Sequence, residues 1–301
     1  MLSRLPETLR KPSWLLAGSV AYLAIVFGVM LARGIEIEPQ WVFLALLVLA
    51  LAMGRGKQFI FDFVPFLVLF FAYEVMRGLG TKAGFPHHDL SGLERWLFAG
   101  QLPTLALQKA LYRPSAISPL DWITMSFYFL HFVLPVAVGF FFWTRNRDHY
   151  WRFVAALLLM SFLAFVTFVL FPSTPPWLQF PHDVVKVSDA TVHKWGISYY
   201  QSPIYNSLGR LDPNLYAAFP SMHAAFPSLC AVYAWSNYRR LAVLLIAYTG
   251  CVWFSVAYLG EHYIVDALAA LLYVAVATVA VTVVARIRQS ALSQVPTATL
   301  K

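Results

Sequence analysis

The stretch RFVAALLLMSFLAFVTFVLF, residues 152–171, decides the fold class of this chain. It contains one charged side chain, Arg152, and that residue stands at the very start of the run. The hydrocarbon core of a bilayer is about 30 Å thick, and a helix crosses it with about 20 mainly apolar residues. Lipid offers no partners for backbone amides and carbonyls, so such a run must satisfy them within a helix. The stretch therefore predicts a transmembrane α-helix.

Similar apolar runs recur along the 301 residues, of which 60% are hydrophobic and 12% are charged. Soluble domains have a charged fraction of about a quarter, so most of this surface cannot face water. We predict an all-α, polytopic transmembrane helical bundle of about eight helices. The predicted helices are 14–32, 41–54, 58–77, 123–143, 152–171, 219–236, 240–258 and 263–285.

The basic residues predict the orientation of the bundle. Short connections rich in Lys and Arg stay in the cytoplasm. This rule makes both termini cytoplasmic. We expect a multi-pass protein of a bacterial-type plasma membrane. The same topology, together with contact with anionic membrane lipids, explains the net charge of +8, and we expect no nucleic-acid partner. The basic clusters lie near the N-terminus and at 55–57, 145–152, 239–240 and 286–288.

Two long connections, 78–122 and 172–218, have sparse basic residues and are expected outside. The first holds short amphipathic segments that we expect along the interface. The second follows FPSTPPW at 171–177, where the prolines cannot continue a regular helix. We divide the chain into an N-terminal cytoplasmic segment with two additional helices (1–57), a core of six helices (58–288) and a cytoplasmic tail (289–301).

Two polar motifs lie at predicted outer helix ends, AFPSMH at 218–223 and YLGEHYIVD at 258–266. The two helices that they enter run in the same direction, so their N-termini should share one membrane face. Unpaired amides and partial positive charge at both ends predict an anion site. Within the second motif, His262 and Asp266 are four residues apart and lie on one helical face, where the carboxylate can accept a proton from the imidazole.

This arrangement predicts nucleophilic catalysis. An imidazole oriented by Asp266 has a second, more basic nitrogen, and such a nitrogen on His262 can attack phosphorus to form a phosphohistidine. His223 is expected to protonate the leaving oxygen and then to deprotonate the acceptor. Ser221 could donate its hydroxyl or amide to a phosphate oxygen, and Tyr258 is a further candidate for substrate contact.

Structural explanations compete with these roles. A lone histidine at a membrane interface is usually an amphipathic anchor, whereas a carboxylate such as Asp266, one turn inside an apolar helix, normally has a partner or a function. We expect His131 and His149 to be structural. The run His87-His88-Asp89 lacks further spaced ligands, so we predict a solvated turn there and no metal site.

The two motifs resemble those of the type 2 phosphatidic acid phosphatase (PAP2) superfamily, particularly its branch related to inositol phosphorylceramide synthase. In that superfamily, a histidine in a Pro-Ser-x-His motif acts as acid and base, and a second histidine, oriented by an Asp four residues on, is the nucleophile. The resemblance implies these roles for His223, His262 and Asp266. It extends over about the third to the eighth predicted helix and includes the FPSTPPW stretch and the segment 93–108.

The chain also departs from the classical pattern. Classical members bind phosphate with a Lys-x6-Arg-Pro motif and with an Arg six residues before the nucleophile. That second position is Val256 here, the first motif is absent from the end of the fifth predicted helix, and Met222 replaces the usual Gly. Arg77 and Arg210 are our candidates for the missing positive charge, although Arg77 could equally pair with Glu74 on its own helix.

The altered phosphate site favours the synthase-like branch, which implies transfer of a phospho-headgroup, with phosphoinositol as one candidate, from a phospholipid donor to a lipid alcohol. Water is the alternative acceptor and would make the protein a lipid phosphate phosphatase. We expect neither metal nor cofactor, because helix termini, histidines and a basic residue can stabilise the transition state. A transporter or flippase without catalysis would instead gather polar residues near mid-membrane.

Overall fold

Helices dominate the computed structural model, which describes residues 39–79, 84–116, 118–195 and 214–293. Within these ranges the chain forms no β-strand, and its extended backbone pairings are isolated bridges. The predicted helix 14–32 lies outside the described residues. In chain order the helices are α1 Pro39–Ala52, α2 Gly56–Leu79, α3 Ser91–Leu97, α4 Pro103–Leu111, α5 Pro119–Arg145, α6 Arg147–Leu170, α7 Pro176–Gln179, α8 Val187–Trp195, α9 Met222–Trp235, α10 Arg239–Tyr258 and α11 Ile264–Ser293.

Every predicted helix from 41–54 onward has a counterpart among these helices. Within the described ranges, three helices are long and apolar enough to cross a membrane, namely α6, α10 and α11. A fourth crossing is formed if α5 counts as one span, because it bends by 53° between Pro119–His131 and Val133–Arg145. Pro135 explains the bend, since a proline supplies no amide to the carbonyl of residue 131 and its ring clashes there. The expected count of eight crossings stays a prediction.

The short helix α9 lies at the centre of the bundle, in contact with α5, α6, α10 and α11. Its sequence MHAAFPSLCAVYAW is rich in small residues, and Ala224, Ala225 and Ala234 are completely buried. Small side chains let neighbouring helices approach closely, which is how membrane bundles gain packing energy. The first turn of α9, which carries His223, is therefore surrounded by helices.

A buried carboxylate holds the bundle together at the end expected to be cytoplasmic. Asp62 of α2 is 1% exposed and accepts hydrogen bonds from Trp143 Nε1 at 2.7 Å and from Arg147 Nε and Nη2 at 2.8 and 2.6 Å. The hydroxyl of Tyr150 donates to the Asp62 carbonyl. A carboxylate in an apolar bundle needs such partners, and the bidentate arginine pair is a strong one. The cluster ties α2 to the corner between α5 and α6.

Three separate segments meet at the opposite end. Ser173 forms bridges with both His88 and Ala217, and the ring of His88 stacks on Phe171 with centroids 3.8 Å apart. The solvated turn predicted for residues 87–89 is therefore wrong for His88, because its backbone pairs with the Pro-rich segment and its ring has an aromatic partner. These bridges fix the path of the chain just before Ala218, where the first motif begins.

Candidate active site

Two histidines that are 39 residues apart in sequence meet at this end of the bundle. Nδ1 of His223, in the first turn of α9, lies 3.0 Å from Nε2 of His262, in the loop between α10 and α11. His262 is buried, whereas His223 is half-buried. The two motifs predicted to share one membrane face are thus in direct contact.

The partners of His262 define which of its nitrogens carries a proton. Nδ1 lies 2.8 Å from the carbonyl oxygen of Ala218 and 3.5 Å from Oδ2 of Asp266. Both oxygens are acceptors, so we assign the proton to Nδ1. Nε2 is then the basic nitrogen, and it is the one that faces His223. The Ala218 carbonyl was missed in the sequence because a backbone acceptor has no residue signature.

Asp266 joins the starts of α9 and α11. Its Oδ2 accepts the amide of Tyr263 at 2.9 Å, and its backbone carbonyl accepts the amide of Ser221 at 3.0 Å. The carboxylate is fully buried, and Oδ1 has no hydrogen-bond partner in the part of the chain that the structure describes. Asp266 therefore combines orientation of His262 with a backbone link between the two motifs.

Ser221 is the N-cap of α9. Its hydroxyl oxygen accepts the amide of Ala224 at 3.4 Å, a typical way of satisfying an amide in the first turn. Since the Ser221 amide already donates to Asp266, the phosphate contact predicted for this residue would have to come from its hydroxyl.

The N-terminus of α11 already holds an anion. Glu94 of α3 is completely buried, and its two carboxylate oxygens accept the amides of Ile264 and Val265, each at 3.0 Å. Burial raises the pKa of Glu94, the two amides oppose that rise, and the nearby Asp266 adds to it. The expectation that both helix ends are open to a substrate anion is therefore wrong for α11. Sequence could not suggest this contact, since its partners are 170 residues apart.

Gly260 allows the loop that carries His262 to pack tightly. Its φ is +82°, a conformation in which side chains are strained, and a Cβ there would lie 2.8 Å from the carbonyl oxygen of Val185. Gln108 of α4 links the two segments that pack here, because its amide nitrogen donates to the carbonyls of Val185 and Tyr258 at 2.7 and 2.8 Å. The amide of Trp177 adds a bond to the Gly260 carbonyl.

Tyr258 belongs to this support. It is fully buried, and its hydroxyl donates to Oδ1 of Asp121 at 2.5 Å. The same carboxylate caps α5, where its Oδ2 accepts the amide of Ser118. The contact predicted between Tyr258 and substrate stays a prediction.

A family model of the PAP2 superfamily matches residues 88–281. The chain belongs to the PAP2 superfamily. Membership suggests phosphatase or phosphotransferase chemistry on lipid-like substrates. The matched region contains every described site residue named above and begins after the third predicted helix. No curated protein and no solved structure matches the chain.

Where classical PAP2 members carry a phosphate-binding arginine, this chain has a buried residue with a structural role. Val256 is fully buried, and its carbonyl accepts the amides of Glu261 and His262 at 3.0 and 3.2 Å. Of the arginines proposed to replace the missing charge, Arg77 is in α2 with a side chain outside the described part, and Arg210 lies outside the described residues.

One histidine expected to be structural contacts the site of this PAP2 protein. The ring centroid of His131, in α5, lies 3.9 Å from that of His223. His149, by contrast, is in α6, with Nε2 3.0 Å from the carbonyl of Tyr233. One signal in the sequence could have separated the two histidines: His131 lies inside the predicted helix 123–143, where an ionisable side chain is usually functional, whereas His149 lies in the connection between two predicted helices.

Proposed function

We propose that this protein is a membrane-embedded lipid phosphotransferase that works through a phosphohistidine on His262. The observation that carries the proposal is the 3.0 Å contact between Nδ1 of His223 and Nε2 of His262, with Nδ1 of His262 bonded to acceptors. An imidazole with one nitrogen protonated and the other basic is the form that acts as a nucleophile. A second imidazole beside the basic nitrogen suits an acid and base.

The reaction has two halves. In the first, Nε2 of His262 forms a bond to phosphorus, the bond from phosphorus to the leaving oxygen breaks, and that oxygen takes a proton from His223. In the second, His223 takes the proton of the acceptor hydroxyl, whose oxygen attacks phosphorus and releases Nε2 of His262. Asp266 and the Ala218 carbonyl hold the Nδ1 proton throughout and stabilise the positive charge of the phosphorylated ring.

Substrate must separate the two rings. A nitrogen attacks phosphorus from about 3 to 3.5 Å, and the leaving oxygen needs its proton donor within about 3 Å. The two nitrogens must then be roughly 6 Å apart or more, which exceeds the observed 3.0 Å. Because His262 is held by two acceptors, we assign the movement to His223.

The proposed donor is a phospholipid and the proposed acceptor a lipid alcohol, with phosphoinositol as a candidate headgroup. The support is the interfacial helix α3, where Leu93, Trp96 and Leu97 are exposed while Glu94 on the same helix bonds to the start of α11. An amphipathic helix of this kind lies in the headgroup region, so lipid would reach the histidines there. Arg77 and Arg210 are the proposed sources of positive charge, and no metal is required for the steps above.

We place the site on the outer membrane face, with cytoplasmic termini in a bacterial-type plasma membrane. His262 follows the last residue of α10, whereas Arg239 and Arg240 lie at the first residues of that helix. Arginine clusters favour the cytoplasmic side, which supports an extracytoplasmic site.

The experiment is a transfer assay with purified protein, labelled lipid phosphoesters and a chelator, in which a lipid alcohol competes with water. Native protein is compared with His262→Ala and, as a matched control, with His149→Ala. We expect labelled lipid product that requires His262 and not His149. A water-soluble product that requires His262 would identify a phosphatase. Activity that is indifferent to His262, or absent across a broad panel of lipids, would refute the proposal and favour transport.

A further inference from the structure

A buried histidine, His131, stands at the bend of the membrane helix α5. It is 1% exposed, and its Nδ1 contacts the carbonyl oxygen of Tyr128. A carbonyl only accepts, so we assign a proton to Nδ1, which makes Nε2 the basic nitrogen of the neutral ring. Ionisable side chains inside membrane helices are costly and usually functional. A phenylalanine would fill the same aromatic surroundings, which include the parallel ring of Phe226.

The ring of His131 lies against His223, with centroids 3.9 Å apart and planes tilted by 45°. The ring of Tyr128 stacks on the same imidazole at 4.2 Å and 15°. The side chains of Tyr128 and His131, three residues apart on α5, therefore both contact His223, whose Nδ1 faces His262. The hydrogen bond from His131 to the Tyr128 carbonyl connects these two residues.

We infer that His131 is a positioning residue for His223: it guides the imidazole of His223 as substrate separates that ring from His262, and it stabilises the charge that His223 carries while it exchanges protons with the substrate. This inference rests on the proposed function. A polar ring at van der Waals distance replaces part of the solvation that an imidazolium loses in a buried site. His131 acts through His223, which is the residue that exchanges protons with the substrate.

The role predicts a dependence on the leaving group. When the bond from phosphorus to an alkyl oxygen breaks, the oxygen needs the proton of His223. A nitrophenolate leaves without that proton. Loss of His131 should therefore slow release of an alkyl alcohol much more than release of nitrophenol. A residue that only supports the fold would affect both reactions equally.

The experiment measures leaving-group release in a single turnover, with two phosphoesters that differ only in an alkyl or a nitrophenyl leaving group. His131→Phe keeps a ring but removes its nitrogens. We expect its rate to fall about 10- to 100-fold with the alkyl ester and less than about threefold with the nitrophenyl ester. His131→Asn, whose amide can donate to the Tyr128 carbonyl, should recover part of the alkyl rate. His149→Phe is the control for removal of a histidine from the bundle, and both its rates should stay native.

Equal losses with both esters in His131→Phe, or a native rate with the alkyl ester, would overturn the inference. His262→Ala is measured in parallel. If that variant keeps its activity, the proposed phosphohistidine function itself fails; if it is inactive while His131→Phe is native-like, only the role of His131 fails.

Discussion

Nδ1 of His262 lies closer to the carbonyl oxygen of Ala218, at 2.8 Å, than to the carboxylate of Asp266, at 3.5 Å. Because a carbonyl oxygen only accepts, this contact favours a proton on Nδ1 independently of Asp266. Ala218 belongs to the short segment that also contains Ser221 and His223, so one stretch of chain both orients the proposed nucleophile and carries its proposed acid. Asp266 contributes mainly charge and the link between α9 and α11.

Asp266→Asn should consequently lower the activity without abolishing it. In catalytic triads, loss of the carboxylate that selects the histidine tautomer lowers kcat by about 10⁴-fold. Here the Ala218 carbonyl still selects it, so we expect a fall in kcat of about 100-fold, caused by lost stabilisation of the charged ring. The measurement is kcat together with trapping of labelled phosphoprotein, with His262→Ala as reference. An Asp266→Asn protein as inactive as His262→Ala would contradict this division of roles.

Gly260→Ala should disturb the loop that carries His262. The left-handed backbone costs a non-glycine residue about 1 to 2 kcal/mol, and the new methyl group would press on the Val185 carbonyl at 2.8 Å. We expect a lower Tm and a loss of transfer activity. Gly250→Ala is the matched control, because it lies within α10 and an added Cβ meets nothing within 4 Å. That variant should be as stable as the native protein or slightly more so; similar behaviour of the two would show that the loop can relax.

Glu94→Gln tests the carboxylate that caps α11, through the pH dependence of stability. Burial raises the pKa of Glu94 in the folded protein, so folding favours its protonated form. Native stability is then higher below the pKa of an unfolded glutamate and is lost as the pH rises through the raised value. Glutamine cannot titrate. We expect the Tm of native protein minus that of Glu94→Gln to be larger at pH 4 than at pH 8, with all other titrating groups common to both proteins. A difference that grows with pH instead would mean that the two amide bonds outweigh burial.

The helices were predictable because they depend on local properties, namely apolar runs of sufficient length bounded by basic clusters. The meeting of His223 and His262 was also predictable, since both motifs stand at the starts of helices that run in one direction. Both features follow from the residue types along the chain and from the thickness and polarity of the bilayer.

Contacts made by distant or backbone groups were not predictable. Glu94 reaches amides that any residues at 264 and 265 would supply, and the Ala218 carbonyl belongs to no residue type in particular. His131 meets His223 because α5 bends near Pro135, and a sequence pattern does not specify the direction of a bend. The N-terminus of α11 is an example: it was predicted to bind substrate, but two of its amides already donate to the carboxylate of Glu94.

Tyr258→Phe separates a supporting role from a substrate contact. The Tyr258 hydroxyl donates to Oδ1 of the buried Asp121, and its removal leaves that oxygen without this donor, at a cost of about 1 to 3 kcal/mol. We expect a lower Tm and a KM for the donor lipid within about twofold of native, since a tyrosine that does not contact the substrate leaves substrate binding unchanged.

Tyr248→Phe is the control on the same helix: its hydroxyl donates to the neutral carbonyl of Phe127 at 2.8 Å, so its loss should cost less, about 1 kcal/mol. A raised KM with an unchanged Tm in Tyr258→Phe would return this tyrosine to the substrate site.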